Sequence, residues 1–274
     1  MSPLDALVPR AQEGDRAALE ELVRGLQDPL YRLALRFLGR REEARDATQE
    51  ILILVITKLS TFRAESSIKT WAYRVASRHL LRSKSEEQFH FDQLASDLGK
   101  PPNEIAPSVL AHADARLLEE EVFLGCTQAM LRALDRDQRI AFILGAICEV
   151  EAKEAAYALS ISEAAFRKRL SRARHALDEF VQEHCSVANA HNRCRCAHQV
   201  NHRIHKGTLV PGQPRFTLHD PQTTLEALRA QREIGKVKRA LELYRAQPVD
   251  RSPQDFAAHL HKLLAGTDLL VFDA

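Results

Sequence analysis

Residues 151–180 read EAKEAAYALSISEAAFRKRLSRARHALDEF, and their spacing predicts two helices joined by a tight turn. Glu151 to Leu159 is a short helix, Ser160-Ile161-Ser162 is a turn, and Ser162 caps a longer helix with Phe166, Leu170, Ala173 and Leu177 on one face. Alanines at 155, 156, 164 and 165 permit the close crossing that a helix-turn-helix needs. With the apolar face turned inward, Arg167, Lys168, Arg169, Arg172 and Arg174 crowd the remaining surface, and Ser162 and Glu163 lie at the helix N-terminus. In this motif that end enters the major groove, where phosphates and base edges require such donors. Taken alone, a basic helix face is also an ordinary solvated surface.

On the N-terminal side of this pair, helical periodicity covers Arg116 to Leu134 and Asp137 to Cys148, which with the motif makes a helical domain over residues 116–182. Before it, residues 85–115 lose periodicity around Gly99-Lys100-Pro101-Pro102 and read as a flexible linker. Residues 19–84 make another helical bundle. Leu30, Leu33, Ala34, Phe37 and Leu38 recur at three- and four-residue spacing, Gly39 is a helix stop, and Ile51-Leu52-Ile53-Leu54-Val55-Ile56 is apolar all round, the mark of a central helix. Ser66 and Ser67 interrupt the pattern, and Thr70 is placed to cap a helix through Trp71, Tyr73 and Leu80. Trp71 and Tyr73 read first as packing residues of that helix.

The expected class is therefore all-α: two helical domains joined by a flexible linker, plus a small helical C-terminal extension. A length of 274 residues suits two domains at about 150 residues each. Lys+Arg number 39 against Asp+Glu 37, a net charge of +2, so contact with nucleic acid has to come from local patches rather than from a uniformly basic chain. Hydrophobic residues at 45% exclude disorder throughout. The longest apolar run is far short of the roughly 20 residues a membrane helix needs, and the N-terminus has no signal-peptide pattern, so no membrane partner and a cytoplasmic location are expected.

Two sets of motifs resemble one family. Leu134-Asp-Arg-Asp-Gln-Arg139, Glu154-Ala-Ala156, Leu159-Ser-Ile-Ser162 and Arg169-Leu-Ser-Arg-Ala-Arg174 look like region 4 of a bacterial RNA polymerase sigma factor. Asp46-Ala-Thr-Gln-Glu50 and the stretch Phe62 to Ala76 resemble region 2 of the extracytoplasmic-function (ECF) subgroup. The resemblance implies a non-enzymatic initiation subunit with promoter DNA and core RNA polymerase as partners. Region 2 would grip the β′ clamp coiled coil through Asp46, Gln49 and Glu50 and take the −10 element on Arg63, Glu65, Ser66, Ser67, Lys69, Arg74 and Arg78. Region 4 would take the −35 element on Ser162, Glu163, Arg167, Lys168, Arg169, Arg172 and Arg174, and touch the β flap. An anti-sigma factor is a further partner that such a subunit admits. A stand-alone helix-turn-helix regulator, with no attachment to polymerase, is the competing expectation.

No cofactor is required by this reading, but the tail is unusual. Residues 183–210 contain Cys185, Cys194 and Cys196 with His184, His191, His198, His202 and His205. Thiol and imidazole donors suit zinc or copper(I), and Cys185, Cys194, Cys196 and His191 are the candidate ligands. The C-x8-C-x-C spacing is not that of a standard zinc finger, and a disulfide switch or a plain solvated loop fits the same residues. No paired carboxylates or nucleophile and base accompany them, which speaks against a metalloenzyme. Cys126 and Cys148 sit in apolar helical patterns and read as small core residues. Residues 221–266 carry Leu225, Leu228, Ile234, Val237, Leu241 and Tyr244, then Ser252-Pro253-Gln254-Asp255, and read as a helical hairpin that must pack against something else.

Overall fold

A computed structural model describes residues 2–83, 90–98, 115–216, 239–247, 251–253 and 255–258. The regular elements among them are helical, as the periodicity predicts. The chain divides into two compact units that interleave along the sequence: residues 1–85, 143–169 and 249–274 form one, and 86–142 with 170–248 form the other.

The first unit begins with a helix absent from the sequence expectation, α1 (Pro3–Gln12). A reciprocal cap starts it: the Asp5 backbone N–H donates to Ser2 Oγ at 3.3 Å, and the Ser2 N–H donates to the Asp5 carboxylate at 2.8 Å. The other Asp5 oxygen accepts from the Ile68 backbone N–H at 2.8 Å, tying α1 to a helix about sixty residues on. Helix α2 (Arg16–Leu38) is capped by Asp15, whose carboxylate accepts from the Ala17 and Ala18 N–H groups. It ends where Gly39 adopts φ +81°, a left-handed turn that glycine enters without steric cost. Gly25 on α2 lies against Leu4 so closely that a Cβ there would meet the leucine side chain at 2.3 Å.

Helix α3 (Arg41–Thr57) buries Ala44, Thr48, Ile51, Leu52, Val55 and Ile56 against this core. It is not buried all round, however. Ile53 is 38% exposed and Leu54 half-buried, because helical spacing of 100° per residue puts two of six consecutive apolar residues on the outer face. Helix α4 (Ile68–Arg82) also starts earlier than expected: Ser67, not Thr70, is its cap, with Ser67 Oγ accepting from the Thr70 N–H at 3.1 Å. Trp71 is a packing residue, 8% exposed with its ring edge-on to Phe62 at 5.6 Å.

In the second unit, helix α5 (Phe91–Leu98) lies within the stretch expected to be linker. Its Leu94 and Leu98 are buried, so a short apolar stripe recruited by tertiary packing outweighs the weak local pattern. Helix α6 (Ala115–Ala133) follows, then α7 (Arg136–Phe142); the π-helical turn after it, Ile143–Ile147, belongs to the first unit. Arg139 donates to the Arg132 and Leu134 carbonyls at 2.7 and 3.1 Å, placing a cation at the α6 C-terminus, where carbonyls and helix dipole favour it.

Helices α8 (Ala152–Leu159) and α9 (Glu163–His184) are the predicted pair. Ser160 between them takes a left-handed φ of 57° and Ser162 Oγ accepts from the Ala165 N–H at 3.2 Å. After α9, Cys185 pairs with Cys194 in a single parallel β-bridge, and α10 (Cys196–His205) follows. Helix α11 (Ala240–Arg245) docks on α6, where the Tyr244 hydroxyl donates to the Thr127 carbonyl at 2.8 Å. Most of the expected hairpin lies outside the described residues. Within the first unit, the described part near its end packs on α2: the Ser252 N–H donates to Asp28 at 2.9 Å, and Phe256, 1% exposed, donates its N–H to Gln27 at 3.0 Å.

Candidate nucleic-acid and polymerase interfaces

Three surfaces carry the predicted residues. On α3, Asp46, Glu50 and Ile53 share one outer face at spacings of four and three, with Gln49 half-buried at its edge. Asp46 pairs with Arg45 at 3.2 Å and Glu50 lies 3.4 Å from His79 Nε2. An acidic stripe beside an exposed isoleucine is a surface suited to a basic partner with an apolar contact point.

The second surface is the loop before α4 and the helix itself. Arg63 and Glu65 are exposed, Ser66 half-buried, and Ala64 between them holds φ +56°, an uncommon conformation for a residue with a Cβ. Ser67 caps the helix and shares a hydrogen bond with Thr70 Oγ1 at 2.8 Å. Lys69 is exposed near the Tyr73 ring, its ammonium 5.8 Å from the centroid. Tyr73 is buried, and that burial pushes its phenol well above the usual range.

On α4, Arg74 and Arg78 face α8, within the same unit. The Arg74 guanidinium stacks over the Tyr157 ring at 4.6 Å. Arg78 donates to Ser160 Oγ at 3.2 Å, and Thr70 Oγ1 donates to the Glu154 carboxylate at 3.2 Å. The structure thus brings a predicted −10 helix against the first helix of the predicted −35 motif, a juxtaposition that linear spacing could not reveal.

The third surface is α9. Phe166, Ala173 and Leu177 are buried, Leu170 half-buried, and Arg167, Lys168, Arg172 and Arg174 all reach solvent. Arg169 is half-buried and Glu163 forms an i,i+4 ion pair with Arg167. Ser162 is exposed at the start of the helix. Four cations on the solvent face of one helix, clustered over residues 167–174, give the density of donors that phosphate neutralisation needs.

The cysteine cluster does not assemble as expected. Cys185, Cys194 and Cys196 line one cavity, but His191 is exposed, its ring nitrogen 3.3 Å from Asn189 Oδ1. The additional thiol in that cavity is Cys126, from α6. A cysteine in an apolar helical pattern gives no signal of such a role, because its partners lie about sixty residues away. Burial pushes the Cys126 thiol up to about 12 and that of Cys194 up to about 11, and the neighbouring thiols add to both shifts. Cys148 is a separate case, a mostly buried thiol within hydrogen-bonding reach of Tyr73. Among the described residues, no three His, Cys, Asp or Glu side chains already stand at ligating distance of one point.

Comparison with known proteins agrees with the two motif sets. Residues 22–89 match the family model of sigma-70 region 2, and residues 124–177 match that of sigma-70 region 4. Over 179 residues the chain is 28% identical to the RNA polymerase sigma-H factor of Pseudomonas aeruginosa, covering 64% of this chain and 92% of that one. It is 28% identical over 180 residues to the ECF RNA polymerase sigma factor SigE of Mycolicibacterium smegmatis, covering 63% of this chain and 66% of the relative. The corresponding figures for SigW of Bacillus subtilis are 26% over 180 residues, 64% and 95%. Neither family model reaches past residue 177, so the cysteine-bearing segment stands outside both. With both sigma-70 regions matched in order, on helices that expose the charged residues of each, the chain is similar to the ECF-type sigma factors of bacterial RNA polymerase.

Proposed function

We propose that the chain binds core RNA polymerase, directs it to promoters and assists strand opening, with no bond-making step of its own. The observation that carries this reading is the basic solvent face of α9 in a molecule that also holds region 2. A helix-turn-helix regulator acting without polymerase has no use for that second region, so the match over residues 22–89 weighs against it.

In this reading Asp46, Gln49 and Glu50 engage the β′ clamp coiled coil, and region 4 reaches the β flap. The chain works in the cytoplasm, where polymerase and promoter are; among the described residues no helix is long and apolar enough to cross a membrane. Ser162, Glu163, Arg167, Lys168, Arg169, Arg172 and Arg174 meet the −35 element, the cations on phosphates and base edges, the Ser162 hydroxyl on the backbone and the Glu163 carboxylate on a base-edge amino group. Arg63, Glu65, Ser66 and Ser67 receive an unstacked base of the −10 element by hydrogen bonding, while Lys69, Arg74 and Arg78 hold its phosphates. Opening costs a few kcal/mol per unstacked step, and binding the exposed strand offsets it. An anti-sigma factor would act by covering these surfaces.

The test is promoter affinity of the polymerase-loaded chain across a salt series. Arg167→Ala and Arg172→Ala should each weaken binding and lower the salt slope by about 1 for each phosphate that is no longer neutralised. Unchanged affinity and slope would place the recognition surface elsewhere.

A further inference from the structure

We propose that Cys126, Cys185, Cys194 and Cys196 are the four ligands of a zinc ion that clips the tail onto helix α6. Three separate elements supply them. Cys126 lies in α6, Cys185 and Cys194 face each other across the β-bridge that follows α9, and Cys196 is the first residue of α10. All four line one cavity of about 20 Å³, walled by Leu98, Val122, Phe123, Met130 and Phe180. That space holds a single atom-sized guest.

Several observations point to a cation held by thiolates rather than to a packed core. Four sulfurs meeting in one small apolar cavity is the donor set of closed structural zinc sites. Arg203 from α10 lines the same cavity, and its Nε and one terminal nitrogen are buried without a hydrogen-bond partner. A guanidinium left in that state is costly, and it faces four groups that together become anionic on metal binding. Zinc with four thiolates carries a net charge of −2, which Arg203 partly offsets as an outer partner of the sulfurs. In the capture step four S–H bonds break, four Zn–S bonds form, and four protons leave to solvent. Among the described residues no such ligand group is preassembled, so zinc binding requires the four cysteine side chains to move together.

The geometry also distinguishes this site from a three-cysteine, one-histidine set. His191 is turned outward onto Asn189 and does not reach the cavity, whereas Cys126 does. Such an ion connects region 4 to a segment beyond either sigma-family model, fixing the segment that follows the DNA-binding helix.

The experiment measures zinc in the full chain, purified under reducing conditions without chelator after growth with zinc. One zinc per chain is expected in the parent and in His191→Ala, with loss to trace in Cys126→Ser and in Cys194→Ser. Because a cysteine variant can fail to fold, cobalt(II) replaces zinc in the parent as an independent readout, and its absorption should be that of a tetrahedral four-thiolate complex. A parent that holds no zinc after reconstitution, or that carries a Cys185–Cys194 disulfide in its place, overturns the proposal. So does zinc retained equally by Cys126→Ser, zinc lost from His191→Ala, or a cobalt spectrum with fewer than four thiolates.

Discussion

Single side chains fix the contacts of the tail. The Asp97 carboxyl on α5 is pushed up by burial, but Lys206 outweighs this, its ammonium donating to both oxygens at 2.6 Å with further help from the charges of Arg203 and His202. The net effect holds Asp97 below its ordinary value. A carboxyl depressed in the folded state stabilises the fold above its unfolded pKa, and that contribution disappears as pH falls through the folded value. Lys206→Ala should therefore cost stability at pH 7, by less than about 1 kcal/mol given the partial exposure of the pair. The difference from the parent should shrink at a second, acid pH below the ordinary carboxylate range, as the carboxyl protonates. Urea unfolding followed by circular dichroism at the two pH values checks both; a difference that grows at low pH would contradict the assignment. Residues of this kind are invisible in the sequence. Asp97 and Lys206 are 109 positions apart, and Cys126 reads as a core residue until its partners arrive from the tail.

Among the helices and turns, local signals carry most of the information. The apolar spacing of α2 and α9, the glycine stop at Gly39 and the serine turn at 160–162 are all legible, because each depends on residues within one or two turns. Helix α1 escapes such a reading since its cap, Ser2 with Asp5, precedes only a short amphipathic run, and α5 does so since eight residues give little periodicity. The outward turn of Ile53 follows from helical geometry but needs the core's direction to be known. Packing between α4 and α8 engages Arg74 and Arg78 with Tyr157 and Ser160, and in the proposed −10 role these contacts would compete with phosphate for the same cations. Tyr157→Ala removes a cation–π contact of about 0.5–1 kcal/mol. It should raise affinity for a single-stranded −10 oligonucleotide about two- to fivefold. Fluorescence anisotropy measures this, and unchanged or weaker binding would show that the contact does not mask α4.

For the molecule as a whole, both regions are identifiable because each surface is a run of residues on one or two helices. The interleaving of the two units is not, since a helix such as α9 shares its residues between them. Nor does linear order tell which parts of the extension reach α2 or α6. Everything proposed for the promoter depends on the chain acting as an initiation subunit whose α3 face attaches it to polymerase. To test this, the full chain is mixed with sigma-free bacterial core polymerase, co-elution is measured, and strand opening is followed with permanganate on a promoter selected from genomic fragments. The parent should co-elute and open the promoter, and Asp46→Arg combined with Glu50→Arg should abolish both while keeping its helical spectrum. Duplex binding by the parent with neither co-elution nor opening would contradict the initiation role.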